Sequence, residues 1–149
     1  MKALLIVVFA TLLSACATSA PEVSPSVTLN MTAAKATPGF VEMMDPGTKQ
    51  TLFVAQKPAI GADEVESLKD GFSQDGMPVL YLKLKSSAVK RFKEMTNEQI
   101  GKPLAMLVNG RLVTAPVLRG AISNGMMVIS GSWSAGEVRR IAHPQPNAQ

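Results

Sequence analysis

The run from Ser86 to Val117 reads SSAVKRFKEMTNEQIGKPLAMLVNGRLVTAPV, and its punctuation decides the fold. Ser86 or Ser87 can cap a helix that continues to about Gln99. Ala88, Val89, Phe92 and Met95 share one face of that helix, and Lys90 and Glu94 form an i,i+4 pair on another. Gly101 supplies the stop, and Pro103 prevents continuation. Two apolar runs follow, 104–108 and 112–114, joined by Asn109-Gly110. Asn-Gly between apolar runs is the strongest short hairpin signal, because both central residues of a type I′ turn need positive φ. Ala115-Pro116 then lies at an edge or bulge, since proline donates no ladder hydrogen bond.

Working outward, residues 40–44 and 51–55 are apolar stretches separated by Asp45-Pro46-Gly47-Thr48, which has turn chemistry and predicts a hairpin. Residues 77–84 alternate through Tyr81-Leu82-Lys83-Leu84, as a strand does. Residues 65–72 taken alone fit helix or strand, and the hairpin signal Asp75-Gly76 between them and 77–84 favours the strand. Asn124-Gly125 turns the chain into a strand over 126–130, followed by Gly131. Ser134 and Glu137 form a capping box for a last helix, with Val138, Ile141 and Ala142 inward and Pro144 beyond its end. The pattern predicts an α+β fold, a largely antiparallel sheet with two helices on one face.

The chain has 149 residues, 46% hydrophobic and 17% charged, enough for one domain with a real core. Aromatics are only 5%, so that core is aliphatic and drawn in part from nine methionines. One Cys and one His exclude an internal disulfide framework, a Cys/His zinc site and an ordinary Cys-His nucleophile pair. The net charge of +4 is too weak to imply nucleic acid, and no aromatic stacking platform accompanies it.

The N-terminus reads as an address. Lys2 precedes the apolar run ALLIVVFATLL at 3–13, which is shorter than the roughly 20 residues a spanning helix needs. Leu13-Ser14-Ala15-Cys16 resembles the bacterial lipobox, whose cysteine is acylated and becomes the new N-terminus. Cleavage there removes 1–15 as a lipoprotein signal peptide and makes Cys16 the lipid anchor. The competing reading is ordinary cleavage after Ala17 or Ala20, which leaves a cysteine-free soluble product. Two or more acyl chains anchor stably where one does not. Ala17 rather than Asp after the cysteine implies outer-membrane destination in bacteria with two membranes. Residues 16–38, rich in Ala, Thr, Ser and Pro, read as lipidated Cys and flexible tether, and 39–149 as the folded domain. The alternation of Val27, Leu29 and Met31 leaves a short strand there as the lesser reading.

From Val79 to Ala142 the chain resembles the head region of the first periplasmic domain of SecD, a subunit of the bacterial SecDF protein-export machinery. The resemblance is carried in order by Phe92, Thr96, Ile100-Gly101-Lys102, Leu104-Ala105, Asn109-Gly110, Ala115-Pro116-Val117, Ile122, Gly125, Ile129-Ser130-Gly131 and a final helix. Residues 40–78 fit the family's preceding strands more weakly. The family commonly has Asp-Gly where this chain has Asn109-Gly110, and Asn suits the turn equally. The resemblance implies that fold and contact with exported polypeptide. It does not imply proton-driven translocation, because nothing after the signal is long and apolar enough to span.

Gly101, Asn109, Gly110, Pro116, Gly125 and Gly131 have complete structural explanations as stops, turns and strand ends. Lys83, Lys85, Lys90, Arg91 and Lys93 read as a solvated face, with anionic lipid as the alternative, and Asp63, Glu64 and Glu66 as solvated too. Met43-Met44 and Met126-Met127 read as core filling, one member of each pair pointing inward. His143 has no catalytic partner legible in sequence, and no catalytic, metal or phosphate motif is present. The reading is therefore a non-enzymatic envelope lipoprotein without cofactor, on the periplasmic side. It binds exported polypeptide or an envelope partner at a sheet edge or groove, with Lys102, Arg111 and Arg119 at the rim. The alternative is a structural envelope scaffold. An enzyme is the third and least supported reading.

Overall fold

The computed structural model describes residues 25–144. In chain order it contains β1 (Val27–Ala33), β2 (Phe40–Met44), β3 (Thr51–Ala55), a 3-10 turn (Ala62–Glu64), β4 (Val65–Phe72) and β5 (Pro78–Leu84). Helix α1 (Ser86–Glu98), β6 (Leu104–Val108), β7 (Arg111–Thr114), β8 (Met126–Ser130) and helix α2 (Ala135–Ala142) complete it. The expected α+β class holds, and every strand pairing is antiparallel. The strands divide between two sheets, one of order β2-β3-β1-β6-β7 and one of order β4-β5-β8.

β6 shows why the fold is held together where it is. All five of its residues are buried, so the strand has no solvent face. Leu104, Met106 and Val108 point into the main core with Leu80, Leu82 and Leu84 of β5, Phe92 of α1 and Val138 of α2. Ala105 and Leu107 point the other way, into a smaller cluster with Val54 and the flanking Met43, Leu52 and Leu112. A continuous apolar run is what a strand covered on both faces requires.

One expectation fails here. Residues 27–33 are not tether: β1 lies between β3 and β6, paired from Val27↔Val108 to Met31↔Leu104. The folded domain therefore starts at β1, not at residue 39. Val27 and Leu29 join the main core, while the opposite face carries Thr28, Asn30 and Thr32. That polar face is tolerated because its groups are bonded. Thr28 Oγ1 donates to Asn30 Oδ1 at 2.8 Å, Asn30 Nδ2 to the Ala55 carbonyl at 2.8 Å, and Thr32 Oγ1 to the Pro103 carbonyl at 2.7 Å.

Other details sharpen or correct the reading. α1 starts after Lys85, whose extended backbone is the cap; Ser86 and Ser87 lie inside the first turn, and no side chain caps it. Its buried stripe is Ala88, Phe92 and Thr96, with Val89 and Met95 only half-buried. Thr96 Oγ1 donates to the Phe92 carbonyl at 2.9 Å and accepts from Ile122 N–H at 3.0 Å, which ties the loop before β8 to the helix. α2 opens on the expected capping box between Ser134 and Glu137. Asn109 and Gly110 have φ of 50° and 76°, the type I′ requirement. At Gly125, φ is +65° and a Cβ would stand 2.6 Å from Val89 Cγ2, so conformation and space both require glycine.

Candidate functional site: an open strand edge over an apolar groove

Among the described residues the two sheets leave four edge strands, β2 and β7 in one, β4 and β8 in the other. Exposed edges invite pairing with another chain, and proteins blunt them with charges, bulges or proline. β4 is bulged between Val65 and Ser67 and carries Glu66, Lys69 and Asp70. β7 pairs through a bulge, begins with Arg111, and runs into Ala115-Pro116. β2 holds Glu42 and ends just before Asp45-Pro46. β8, sequence MMVIS, has no charge, no proline and no bulge in its pairing. Its Met126 and Val128 are 56% and 63% exposed.

β8 forms one wall of a groove of about 430 Å³; the segment from Pro116 to Gly120 forms the other. That second wall is fixed from behind. Leu104 N–H donates to the Pro116 carbonyl at 2.9 Å, Leu118 N–H to Lys102 at 3.0 Å, and Gly101 N–H to Leu118 at 2.8 Å. Leu29, Leu104, Met106, Leu118 and Ile129 supply apolar floor, and Arg119 is the sole charged residue in the lining. The arrangement can accept an extended chain, with backbone bonds offered by the β8 edge and apolar side chains received below.

The residues singled out in sequence are divided by the structure. Pro116 and Arg119 line this groove, and Lys102 stands behind its wall through the bond to Leu118. Arg111 does not join them: it lines a different cavity, about 490 Å³, with Trp133, Glu137 and Arg140. Gly101, Gly110 and Gly125 hold positive φ, and Gly131 lies under the Trp133 ring, 3.0 Å from where a Cβ would meet it. Cys16 lies outside the described residues. Met126 points outward and Met127 packs on the core, while Met44 is exposed and Met43 packs on the smaller cluster, one in and one out for each pair. Sequence reasoning named the proline side of the groove and missed β8 as its open edge. The available signal was a five-residue strand with no charge.

The acidic residues expected to be merely solvated are partly paired. Arg91 binds the Glu64 carboxylate and the Ala59 carbonyl, and Lys83 Nζ lies 2.7 Å from Glu66. The Arg91 hydrogen bond, helped by Gly61 N–H, holds Glu64 below the usual carboxylate range. His143, without a partner in sequence, has one in space: its Nε2 lies 2.9 Å from Asp70 Oδ1, with Arg139 Nε 3.8 Å from the other oxygen. The His143 bond lowers the Asp70 pKa. Glu137 is lowered by the Ser134 N–H and then its hydroxyl. A histidine–carboxylate pair works in covalent catalysis only with a nucleophile in reach, and the hollow around this one adds Gly136, Arg139 and Arg140. Among the described residues no group of three His, Cys, Asp or Glu could hold a metal, and no helix is long and apolar enough to cross a membrane.

Comparison with known proteins agrees with this architecture. The family model of the SecDF P1 head subdomain matches residues 39–143. The protein translocase subunit SecDF of Thermus thermophilus is 42% identical over 82 residues, which is 55% of this chain and 11% of that protein. SecD of Aquifex aeolicus is 31% identical over 94 residues, 63% of this chain and 19% of its own length. The chain thus spans only a small fraction of these relatives. A crystal structure of SecDF in a super-membrane-facing form superposes with a TM-score of 0.61 at 23% identity, covering 79% of this chain and 18% of that one. A second SecDF structure, of a component that enhances protein export, gives 0.60 at 23% identity over 80% of this chain and 60% of that one. The likeness of the structures shows the fold, and the family match covers most of the chain: this protein belongs to the SecDF P1 head subdomain family.

Proposed function

We propose that this protein is a non-enzymatic lipoprotein of the cell envelope, held through Cys16 on the periplasmic side of the outer membrane. Its head binds exported polypeptide in the groove beside β8 and assists export without proton-coupled transport. The carrying observation is the edge itself: of the four edge strands among the described residues, β8 alone lacks charge, proline and bulge, and it faces an apolar floor. Relatives of the family are translocase subunits, which supports a polypeptide as occupant. An unfolded chain offers what this site can use, unpaired backbone and alternate apolar side chains. The lipobox and the signal-like run at 3–13 support the anchor and the compartment.

A photo-crosslinking residue placed at Val128 in living cells tests this. Capture of many different exported chains is expected. One stoichiometric envelope protein at that position, with no exported chains, overturns the reading in favour of a structural scaffold.

A further inference from the structure

The ladder beside β8 fixes which way its backbone points. Leu84 N–H donates to the Gly125 carbonyl at 2.9 Å, and the pairing runs on without a bulge from Lys83↔Met126 to Val79↔Ser130. Bonded and non-bonded pairs alternate along an antiparallel ladder. Gly125, Met127 and Ile129 therefore turn their backbone groups toward β5, while Met126, Val128 and Ser130 turn theirs to the open side. Met126 N–H is met there by Asn124 Oδ1 at 3.0 Å. The N–H groups of Val128 and Ser130 have no hydrogen-bond partner among the described residues.

The opposite wall is phased in the same way. Leu104 N–H donates to the Pro116 carbonyl and Leu118 N–H to the Lys102 carbonyl, with Pro103 and Val117 opposed between them. Val117 thus sits in a non-bonded pair, and its N–H and carbonyl point away from residues 102–104. Neither has a partner among the described residues. Both walls of the groove therefore carry backbone groups that a third strand could satisfy. The side chains alternate in step. Leu118 and Ile129 are buried with the floor, whereas Val117 and Val128, one on each wall, are 53% and 63% exposed.

We propose that the groove takes polypeptide as an inserted strand, hydrogen-bonded to both walls at once, and so selects proline-free segments with apolar side chains at every second position. This insertion rests on the proposal that exported chains occupy the groove, and it adds which segments of them bind. A strand docked on β8 alone uses every second amide and tolerates proline at the others. A strand docked on both walls uses every amide, so proline is rejected throughout. Inward side chains of the occupant meet Leu29, Leu104, Met106, Leu118 and Ile129, which demand apolar groups. Outward ones lie at the mouth between Val117 and Val128, where polar groups stay in water. About five residues match the length of β8. The inserted strand would join the β4-β5-β8 sheet to the edge that continues from β7, and cover the apolar floor. Alternating segments of this kind are the ones an unfolded chain leaves most open to edge pairing and aggregation.

The probe is a fluorescein-labelled synthetic peptide with valine, phenylalanine and valine at alternate positions, threonine between them and lysine at both ends. Its binding to the full chain is read by fluorescence anisotropy. A single backbone N-methyl group, placed first on the central phenylalanine and then on the threonine after it, removes one amide donor at a time. Each should weaken binding by about threefold to tenfold, the loss of one hydrogen bond. A peptide of the same composition with its apolar residues adjacent should bind more weakly than the alternating one. Val117→Pro and Val128→Pro each remove one wall donor that makes no ladder bond, and each should weaken binding by a similar factor, with circular dichroism reporting the fold. Should either variant fail to fold, the N-methyl pair decides on the unaltered protein. Loss at only one of the two N-methyl positions overturns the inserted strand and leaves β8 as the sole docking edge. Failure of every peptide to bind would overturn polypeptide as the occupant, and the insertion with it.

Discussion

β1 and β6 are neighbours in one sheet, paired over five residues, yet they reach the interior by opposite means. β6 is apolar on both faces and announces itself as a run of Leu, Ala, Met, Leu and Val. β1 gives Val27 and Leu29 to the main core and turns Thr28, Asn30 and Thr32 toward the other side, where hydrogen bonds make burial tolerable. Burying a polar group costs free energy only while it lacks a partner. A central strand can therefore look like a tether in sequence when its partners lie far along the chain. Ala55 and Pro103 are 25 and 71 residues away from the side chains they bind.

The comparison breaks most sharply by removing β1. A chain beginning at residue 39 matches the family model but leaves β3 and β6 each without a neighbour and Leu104, Met106 and Val108 without Val27 and Leu29. It should fail to unfold cooperatively on heating, whereas a chain beginning at residue 25 should show a sharp transition by circular dichroism. If the shorter chain melts as sharply as the longer, β1 is an accessory strand and the domain starts where the sequence pattern begins.

A narrower test addresses the polar face. Asn30→Ala removes the donor to the Ala55 carbonyl and the acceptor for the Thr28 hydroxyl at once. Loss of about 1–3 kcal/mol in urea unfolding is expected, the range for leaving partly buried partners unsatisfied. A loss under a few tenths would mean that water replaces the amide and that the polar face is not what seats β1.

What could be read in advance follows the same division. Most of what is signalled locally was legible: the Asn109-Gly110 turn, the capping box of α2, the hairpins at 45–48 and 75–76; the start of α1 and the short turn at Ala62–Glu64 were not. Phe92, read as part of the apolar face of α1, lies with Thr96 and Ile122, which were noted only as parts of a family pattern, and Thr96 is bonded to both segments. The non-local features were hidden. β1 needed Ala55 and Pro103, the Asp70–His143 pair joins positions 73 apart, and the groove needs β8 set opposite Pro116. Arg111 and Arg119 looked alike in sequence and lie in different cavities, because the hairpin end and the loop after it are separated by the register of β6 and β7.

The smallest expected effect lies at the surface, where polar groups of β4 are partnered without being deeply buried. Asp70 accepts from His143 and faces Arg139, and its side chain is 28% exposed. Its pKa is lowered, chiefly by the His143 hydrogen bond. A carboxylate with a depressed folded-state pKa stabilises the fold at pH values above its unfolded pKa, about 3.9 for Asp. That contribution disappears as pH falls through the lower folded value, where the native state also takes up the proton. Wild type should therefore exceed Asp70→Asn in stability near neutral pH, by an amount at the low end for exposed pairs. The gap should close in acid below the ordinary Asp range. Parallel urea titrations of the two proteins across that range measure it. A gap that persists unchanged in acid would assign the effect to the geometry of the β4–α2 contact. The charge would then have no part in it, and β4 would resemble β1, whose polar groups act by filling bonds and not by titrating.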